Sequence, residues 1–427
     1  MTFYTLLLLL ADTVVATTLA CVIAVGLGFL GLPALYLIER LRGLRTVRQT
    51  ESPALSGCEL PDVLVQLPIF NEPPMVVDGL LDAVAALDWP RSRLHIQLLD
   101  DSSPDFAAVT AKSVARLRDM GYLAEQLCRS QRRGFKAGAL AAGLEWNNAP
   151  YVALLDADFR PPKSWLKIAI AQLEAQPRAA FVQSRCEFLN AGTNWLTRAQ
   201  SLLFDSHFIM EQGVRSRAGL LFQFNGTGGI WRRQAIDEAG GWAIDSLCED
   251  LDLTIRAALA GWQATFLMHP AVPGLVPDRI RHWRVQQRRW ASGFAQIARK
   301  LSGPLWRSHL TLGQKLQIGF VVLYQAALPA LAIAIPALLL DIALRRGSLP
   351  PLGPLFLAVL VLAVAVPLGM TLPPYLELRR GGLIRYLRDV STLPPLILFL
   401  SLANARPVLA AFFGRREAFK RTPKPSL

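Results

Sequence analysis

The sequence predicts an α/β domain with a mostly parallel sheet, inserted between transmembrane helices. Long apolar runs occur only near the two ends, and strand-like runs alternate with helix-like runs in the charged middle part. Of the 427 residues, 52% are hydrophobic and 18% are charged, whereas about a quarter of an ordinary soluble protein is charged. This composition also excludes a disordered chain, which needs low hydrophobicity and high charge density.

The first apolar run, Leu6 to Leu37, predicts a retained transmembrane helix that occupies residues 1–40. The run contains one charged residue, Asp12, and is far longer than the core of a cleaved signal peptide. Basic residues follow it at Arg40, Arg42, Arg45 and Arg48. Because Lys and Arg are enriched on the cytoplasmic side, we expect a multi-pass protein of the cell (inner) membrane with its central domain in the cytoplasm.

Three more apolar runs, at about 316–344, 352–372 and 390–413, predict a C-terminal transmembrane region. We assign it to residues 301–414, with two to three spans, followed by a basic tail at 415–427. Three full spans would place that tail outside, against the charge bias. The last run contains Pro394-Pro395 and Pro407, which would interrupt a simple helix, so a re-entrant or interfacial element is the alternative.

The cysteines and the net charge indicate which partners to expect. Five dispersed cysteines show no C-x-x-C pair and no zinc spacing, which fits free thiols in a reducing compartment. Most of the net charge of +13 lies next to the predicted spans. Such charge meets anionic lipid, so we expect membrane lipid as a partner and no nucleic acid.

The middle of the chain, residues 41–300, alternates predicted strands and helices. Strands are predicted at 62–69, 94–99, 151–155 and 179–183, and helices at about 75–87 and 106–120. This alternation is typical of a mostly parallel sheet covered on both faces. Because ligands bind at the carboxyl ends of such strands, polar residues directly after a strand are candidates for a site.

Two acidic clusters follow predicted strands directly. Asp100-Asp101 could accept hydrogen bonds from a base or ribose, or could cap the helix after Pro104. Asp156 and Asp158 supply the hard oxygen ligands with which Mg²⁺ or Mn²⁺ holds a diphosphate. A pair of this kind alone also fits a simple Asx turn, so both interpretations stay open at this point.

Two motifs lie closer to the C-terminal spans. Glu249-Asp250 opens an amphipathic helix, where a carboxylate can compensate the helix dipole, act as a general base, or do both. Gln286-Gln-Arg-Arg-Trp290 lies in a basic run that predicts an interfacial helix facing lipid head groups. Arg289 could also stabilise a departing diphosphate, and Trp290 could offer a flat face to a sugar ring. His207 and Glu211, at helical spacing, predict a polar network and not a metal pair, because no third ligand is in view.

These motifs in this order resemble the membrane-embedded family-2 glycosyltransferases of the cellulose synthase type. The intervening sequence is similar to the cellulose synthase-like A group, which makes mannan and glucomannan backbones, and to its bacterial relatives. The resemblance covers about residues 60–300, and its matching stretches are 134–140, 155–161, 224–232, 239–242 and 286–290. It implies a Rossmann-like, family-A glycosyltransferase domain.

The resemblance also implies which residues bind the donor. It assigns to nucleotide binding the residues Asn71, Glu72, Asp100, Asp101, Lys136 and Asp156. Asp156 and Asp158 would hold a Mg²⁺ or Mn²⁺ ion and the diphosphate, with Asp158 as the more direct ligand.

A second set would carry out the transfer. The resemblance assigns to catalysis Asp250, Glu249, Arg289 and Gln286, and to acceptor binding Trp290, Asn225, Gly226 and Thr227. Asp250 would be the base, while Gln286, Arg289 and Trp290 would close the site over pyrophosphate and acceptor. The chain lacks the cysteine that cellulose synthases carry near Asn225, which makes cellulose a weaker candidate product.

The predicted function is therefore an inverting hexosyl transfer from a nucleotide-diphospho-sugar, a UDP- or GDP-hexose. The main prediction is a processive synthase of mannan, glucomannan or β-glucan with a glycan acceptor. A homo-oligomer is the predicted assembly if the helices of one subunit are too few to form a conduit for the chain. A single transfer to a lipid acceptor, ceramide or diacylglycerol, is the alternative within the enzyme class. A non-catalytic membrane transport subunit is the alternative of another class.

Overall fold

The structure is a computed structural model, which describes residues 3–42, 60–324, 327–345, 348, 350, 352–378, 380–415 and 421–422. Three parts of the sequence predictions lie outside these residues: the basic positions Arg45 and Arg48, the thiol of Cys58, and most of the tail after Arg415. The four cysteines that are described are free thiols.

Seven strands form one mixed sheet within the described residues. They are β1 Val63–Ile69, β2 Leu94–Asp100, β3 Leu123–Cys128, β4 Tyr151–Leu154, β5 Ala179–Phe188, β6 Gly229–Arg232 and β7 Gln263–Gly274. The strand order is β3-β2-β1-β4-β6-β5-β7. Neighbouring strands run parallel except at β6, which is antiparallel to both β4 and β5. The predicted α/β class with a mostly parallel sheet is confirmed.

The helices precede, cover and follow this sheet. They are α1 Phe3–Leu41, α2 Pro74–Ala85, α3 Pro104–Asp119, α4 Phe135–Leu144, α5 Trp165–Glu174, α6 Trp195–Ser206, α7 Arg215–Arg217, α8 Arg233–Glu238, α9 Glu249–Leu259, α10 Ile280–Arg307, α11 Leu312–Leu323, α12 Ala327–Leu344, α13 Gly353–Glu377, α14 Leu383–Val390 and α15 Leu393–Phe412. A short 3₁₀-helix at Arg91–Arg93 precedes β2, and a π-helix at His207–Val214 continues α6.

The core lies on both faces of the sheet because successive strand residues point in opposite directions. Val63 and Val65 of β1 join one apolar cluster with α2, α3 and α5. Leu64, between them, joins a second cluster with α4, α8 and α9 on the other face. A sheet buried on both faces explains why β1 reads as a continuous apolar run.

Three helical segments are long and apolar enough to cross a membrane: Phe3–Leu41, Gly353–Glu377 and Leu383–Phe412. The pair Leu312–Leu323 and Leu328–Leu344, bent by 65°, could form a fourth. Among these, α1 contacts α12 and α13, and α15 contacts α12 and the amphipathic helix α10.

The expectation that prolines interrupt the last apolar run is wrong for α15. Pro394 and Pro395 lie in its first turn, where a proline lacks only an N–H group that has no partner within the helix anyway. Pro407 lies inside α15 and is buried against its neighbours, which is how apolar helix bundles tolerate proline. The last run is therefore one continuous helix from Leu393 to Phe412.

Candidate active site

The carboxyl ends of β1, β2 and β4 bring the first two acidic clusters to one edge of the sheet. The parallel register places Ile69, the last residue of β1, beside Asp100, the last residue of β2. It also places Gln66 of β1 beside Leu154 of β4, so that Asp156 and Asp158 follow at the same edge. The predicted convergence of these clusters is therefore present in the fold.

The two neighbouring carboxylates Asp100 and Asp101 have different surroundings. Asp100 is buried, and its oxygens accept hydrogen bonds from the backbone of Ser102 (2.9 Å), from Thr110 Oγ1 (2.5 Å) and from Gln126 Nε2 (2.9 Å). These contacts make Asp100 a support of the loop after β2. The alternative in which an aspartate caps α3 is not observed, since Ser103 occupies that position.

Asp101 faces a pair of guanidinium groups. Arg129 donates to both of its carboxylate oxygens, at 2.9 and 2.5 Å, and Arg132 Nε lies 3.6 Å away. The Arg132 guanidinium carbon also lies 3.4 Å from the centre of the Phe70 ring. The two arginines follow β3, and the sequence reasoning did not assign them to the site.

Asn71 and Glu72 lie at the same end of β1. The Asn71 backbone donates to Ser102 Oγ (2.7 Å), and its side-chain oxygen accepts from the Ser103 backbone (2.9 Å), so Asn71 joins the loops after β1 and β2. Its φ of 49° is one that asparagine adopts more readily than most residues. The buried Glu72 carboxylate lies 2.8 Å from Arg421 Nη1, which belongs to the basic tail.

Lys136 connects three distant parts of the chain. Its Nζ donates to Asp156 Oδ1 (2.7 Å) and to the carbonyl oxygen of Gly226 (2.8 Å), and lies 3.8 Å from Glu249 Oε1. Burial disfavours the charge of Lys136, but Asp156 and Glu249 outweigh this and raise its pKa. The predicted donor residue therefore also contacts the predicted acceptor and catalytic segments.

Asp250 lies in the first turn of α9, half-buried beside Glu249. Its Oδ1 accepts a hydrogen bond from the Leu251 backbone (2.8 Å). Loss of solvation raises the pKa of Asp250 to about 7, the Glu249 charge adds to the rise, and Lys136 and Arg289 oppose it. A pKa near the working pH is what general base catalysis requires.

Gly226 permits the close approach of these charged groups. Its φ is +74°, and a Cβ atom there would lie 3.0 Å from Asp250 Oδ2 and 3.3 Å from Lys136 Nζ. Any side chain would therefore meet both unfavourable backbone geometry and the two functional groups.

The side chain of Gln183, which the sequence reasoning did not assign to the site, holds the segment Asn225–Thr227 in place. Gln183 accepts from the Asn225 backbone (2.9 Å) and donates to the Thr227 carbonyl (3.0 Å). The Asp156 backbone donates to Thr227 Oγ1 (2.9 Å), which ties the segment to the end of β4.

The Asn225 side chain belongs to the network around the π-helix. Asn225 Oδ1 lies 3.1 Å from Gln212 Nε2 and 3.1 Å from His207 Nε2. His207 Nδ1 lies 3.4 Å from Glu211, so the predicted polar network of His207 and Glu211 is confirmed. The Asn225 amide nitrogen is buried without a hydrogen-bond partner among the described residues.

Helix α10 carries Gln286, Arg289 and Trp290 against α9. The positive charge of Arg289 lowers the pKa of Asp250, against the larger effect of burial. The side-chain oxygen of Gln286 is buried with no hydrogen-bond partner in the described part of the chain. The Trp290 ring meets Phe204 edge-on, with centroids 6.2 Å apart.

A buried ion network fixes α9 to α10. Lys300 of α10 donates to Asp245 (2.6 Å) and to Asp252 (2.7 Å), and Asp252 also accepts from Arg256 (2.5 Å). Nearby, a Cβ atom at Gly293 would lie 2.3 Å from Cys248 Sγ, so glycine lets the two elements touch. The same interface thus sets the position of Asp250 relative to Arg289.

The carboxylates of Asp156 and Asp158, which follow β4, fit a divalent cation bound together with a diphosphate. Asp158 is buried, and the Asp156 carboxylate accepts a hydrogen bond from Lys136. No cluster of three His, Cys, Asp or Glu side chains suited to a metal ion occurs among the residues the structure describes. Two carboxylates with remaining positions for phosphate oxygens are typical of Mg²⁺, and hard oxygen ligands also suit Mn²⁺.

Residues 151–372 match the family described as Glycosyl transferase family group 2. Glucomannan 4-beta-mannosyltransferase 1 of Oryza sativa subsp. japonica is 37% identical over 273 residues, which are 63% of this chain and 52% of that protein. Glucomannan 4-beta-mannosyltransferase 2 of Arabidopsis thaliana is 41% identical over 251 residues, 58% of this chain and 47% of that protein. The chain thus spans about half the length of the curated relatives it matches.

A solved structure shares the fold over nearly the whole chain. It is a mannosyltransferase from Pyrobaculum calidifontis in complex with GDP-Man and Mn²⁺, with a TM-score of 0.50, 20% sequence identity, and coverage of 92% of this chain and 97% of that one. This likeness confirms the predicted family-A glycosyltransferase fold.

Proposed function

The chain belongs to glycosyl transferase family group 2, and we propose that it is an inverting hexosyltransferase that extends a β-linked mannan or glucomannan. The observation that carries the proposal is the position of Lys136, which contacts Asp156, Gly226 and Glu249 at once. The residues proposed to hold the donor diphosphate therefore lie next to the segment that carries the candidate base. The names of the curated relatives support mannosyl transfer, and membership of this family favours an enzyme over a transport subunit.

The donor would occupy the edge formed by β1, β2 and β4. Asn71, Glu72 and Asp101 would border the nucleoside, with Asp100 supporting the loop behind them, and Lys136 would lie near the diphosphate. Asp156 and Asp158 would hold Mg²⁺ or Mn²⁺. The ion, when bound, supplies positive charge that compensates the diphosphate.

Asp250 would remove the proton from the acceptor hydroxyl. As the Asp250 carboxylate takes up that proton, the acceptor oxygen forms a bond to the anomeric carbon, on the side opposite the nucleotide. The bond between that carbon and the diphosphate oxygen breaks, and its electron pair leaves with the diphosphate. The positive charges of Arg289 and Lys136 would stabilise the negative charge of this leaving group. One displacement of this kind inverts the anomeric centre, so an α-linked donor gives a β-linkage.

The acceptor would approach along Asn225, Gly226 and Thr227. The unpartnered amide nitrogen of Asn225 and the unpartnered oxygen of Gln286 are buried polar atoms that a sugar hydroxyl could satisfy. Trp290, on the same helix as Gln286, would offer its ring to an acceptor sugar.

The membrane-spanning segments give the reaction its proposed location. Tyr36, near the end of α1, donates to Glu377 at the end of α13 (3.0 Å), and Glu39 pairs with Arg217 of the catalytic domain (2.8 Å). The basic end of α1 therefore lies beside the catalytic domain. The positive-inside bias then supports a catalytic domain on the cytoplasmic side of the inner membrane. A homo-oligomer stays a prediction.

The test is to give the full chain, in lipid nanodiscs, a panel of UDP- and GDP-hexoses and to analyse the products by mass spectrometry. We expect a ladder of products that differ by one hexose, formed from GDP-mannose, and no ladder with Asp250→Asn. A single hexose added to lipid would contradict chain extension, and no transfer from any hexose donor would contradict the proposed activity.

A further inference from the structure

A cavity of about 180 Å³ lies between α6, the end of α13 and α14, outside the proposed active site. Its lining includes Arg198, Asp205, Tyr375, Arg380 and Arg385, and none of the residues assigned above to donor or acceptor. The cavity is much larger than the space that one water molecule needs. The charged residues around the cavity and its place in the fold indicate which class of ligand it can bind.

Basic groups outnumber acidic groups around this cavity. Arg380 pairs with Asp205 (3.0 and 3.1 Å), and Asp389 pairs with both Arg198 (3.2 Å) and Arg388 (2.9 Å). Arg385 donates only to the Arg380 carbonyl (3.4 Å) and forms no ion pair among the described residues. Three arginines (Arg198, Arg380 and Arg385) and two aspartates (Asp205 and Asp389) line the cavity, which leaves positive charge for an anion.

The Tyr375 hydroxyl is a second, independent sign of a ligand. Tyr375 is 4% exposed, and its hydroxyl has no hydrogen-bond partner in the described part of the chain. The hydroxyl and the Arg385 side chain are neighbours, since both lie next to Gly381. A Cβ atom placed on Gly381 would be 3.1 Å from Tyr375 Oη and 3.0 Å from Arg385 Cδ. A buried O–H group without a hydrogen-bond acceptor costs free energy, and an anionic oxygen would provide that acceptor.

The cavity opens beside an apolar helix face. Leu383, Ile384 and Leu387 of α14 are exposed, Ile384 to 87%, while Tyr386 of the same helix is buried. Helix α14 has eight residues, about 12 Å of helix, which is too short to cross about 30 Å of bilayer alone, so it can lie along the surface. An amphipathic helix with arginines next to its apolar face is typical of the membrane interface.

The level of the cavity in the bilayer follows from two contacts. Tyr375 is close to Glu377, which accepts from Tyr36 at the basic end of α1 (3.0 Å). Arg198 and Asp205 of α6 belong to the catalytic domain. The cavity is therefore on the side of the bilayer that faces the catalytic domain.

We propose that this cavity binds the phosphate group of an anionic phospholipid of that leaflet. Arg385 and the Tyr375 hydroxyl would contact the phosphate oxygens, with Arg380 nearby. The acyl chains would lie along Leu383, Ile384 and Leu387. The lipid would then hold the junction between α6 and the C-terminal helices at the membrane surface.

The test measures lipid retention and needs no activity, so it stands apart from the proposed function. The full chain in detergent is given phosphatidylglycerol or phosphatidylcholine with the same acyl chains, and native mass spectrometry counts the bound lipid. We expect preference for phosphatidylglycerol, reduced about fivefold in Arg385→Gln, since a basic group near an anionic surface is worth about 1 kcal/mol. Tyr375→Phe keeps the ring and should lower the retention of both lipids, since both carry the phosphate that the hydroxyl would contact.

Arg42→Gln is the matched control, because Arg42 is an exposed basic residue at the end of α1 and does not line the cavity. This variant should retain the lipid preference. An equal loss in Arg42→Gln and Arg385→Gln would overturn the proposal in favour of diffuse attraction. Displacement of phosphatidylglycerol by millimolar inorganic phosphate would also overturn it, since the acyl contacts would then contribute nothing.

Discussion

Asp101 on the donor side and Asp250 on the acceptor side are both carboxylates at the ends of secondary-structure elements, but their neighbours differ. Asp101 is held by Arg129 and Arg132, so its negative charge is compensated. Asp250 lies beside a second carboxylate, Glu249, and burial and that neighbour raise its pKa to about 7. In the proposed mechanism, the donor side keeps its charges fixed and the acceptor side lets a proton move.

The largest expected effect comes from removing the proton acceptor. Asp250→Asn should lower kcat by about 10²- to 10⁴-fold, the usual contribution of a general base, and leave donor affinity unchanged. Transfer rates and nucleotide-sugar binding measured on the same preparation check this. Asp105→Asn, an exposed aspartate on α3, is the control, and normal turnover by Asp250→Asn would refute the assignment.

A smaller effect is expected on the donor side. Asp158→Asn should weaken donor binding in the presence of Mn²⁺ or Mg²⁺ roughly tenfold to hundredfold, because a contact with a charged group is worth about 1.5–3 kcal/mol. Calorimetric titration with and without the cation measures the change. Asp88→Asn is the control, because the Asp88 side chain is exposed. If donor binding by Asp158→Asn depends on the cation as strongly as before, the metal site is wrong.

The smallest effect tests the connection between the two sides. Lys300→Met removes the bridge from α10 to Asp245 and Asp252, so we expect kcat to fall several-fold while the donor KM stays constant. Removing one partner of a buried pair also destabilises a protein, so thermal unfolding is measured in parallel. Lys300→Arg should restore most of kcat. A change confined to the donor KM would place this network on the donor side instead.

The sequence reasoning predicted the strands that are mostly apolar and buried. The observed bounds of β1, β2 and β4 agree with the prediction within one residue, whereas β5 continues five residues beyond the predicted end at residue 183. It missed three strands for separate reasons. Edge strand β3 is partly exposed and polar, β6 has only four residues, and β7 contains Pro270 and Pro273.

The site was predictable at the level of motifs but not of individual contacts. The acidic residues after predicted strands indicated that the two clusters share one edge of the sheet, because the ends of parallel strands meet there whatever the side chains do. The sequence did not distinguish Asp100, which supports a loop, from Asp101, which faces two arginines. Contacts such as Lys300 with Asp252 join segments 48 residues apart, and only the packing of α9 on α10 brings them together.

The pH dependence of transfer tests the central claim most directly. At saturating donor, the rate should fall about tenfold per pH unit on the acidic side of an apparent pKa near 7, since protonated Asp250 accepts no proton. In Glu249→Gln the neighbouring negative charge is gone, ionised Asp250 is favoured, and this limb should move to lower pH. A rate that is flat through pH 7, or a limb that stays in place in Glu249→Gln, would contradict a buried Asp250 base tuned by its neighbour.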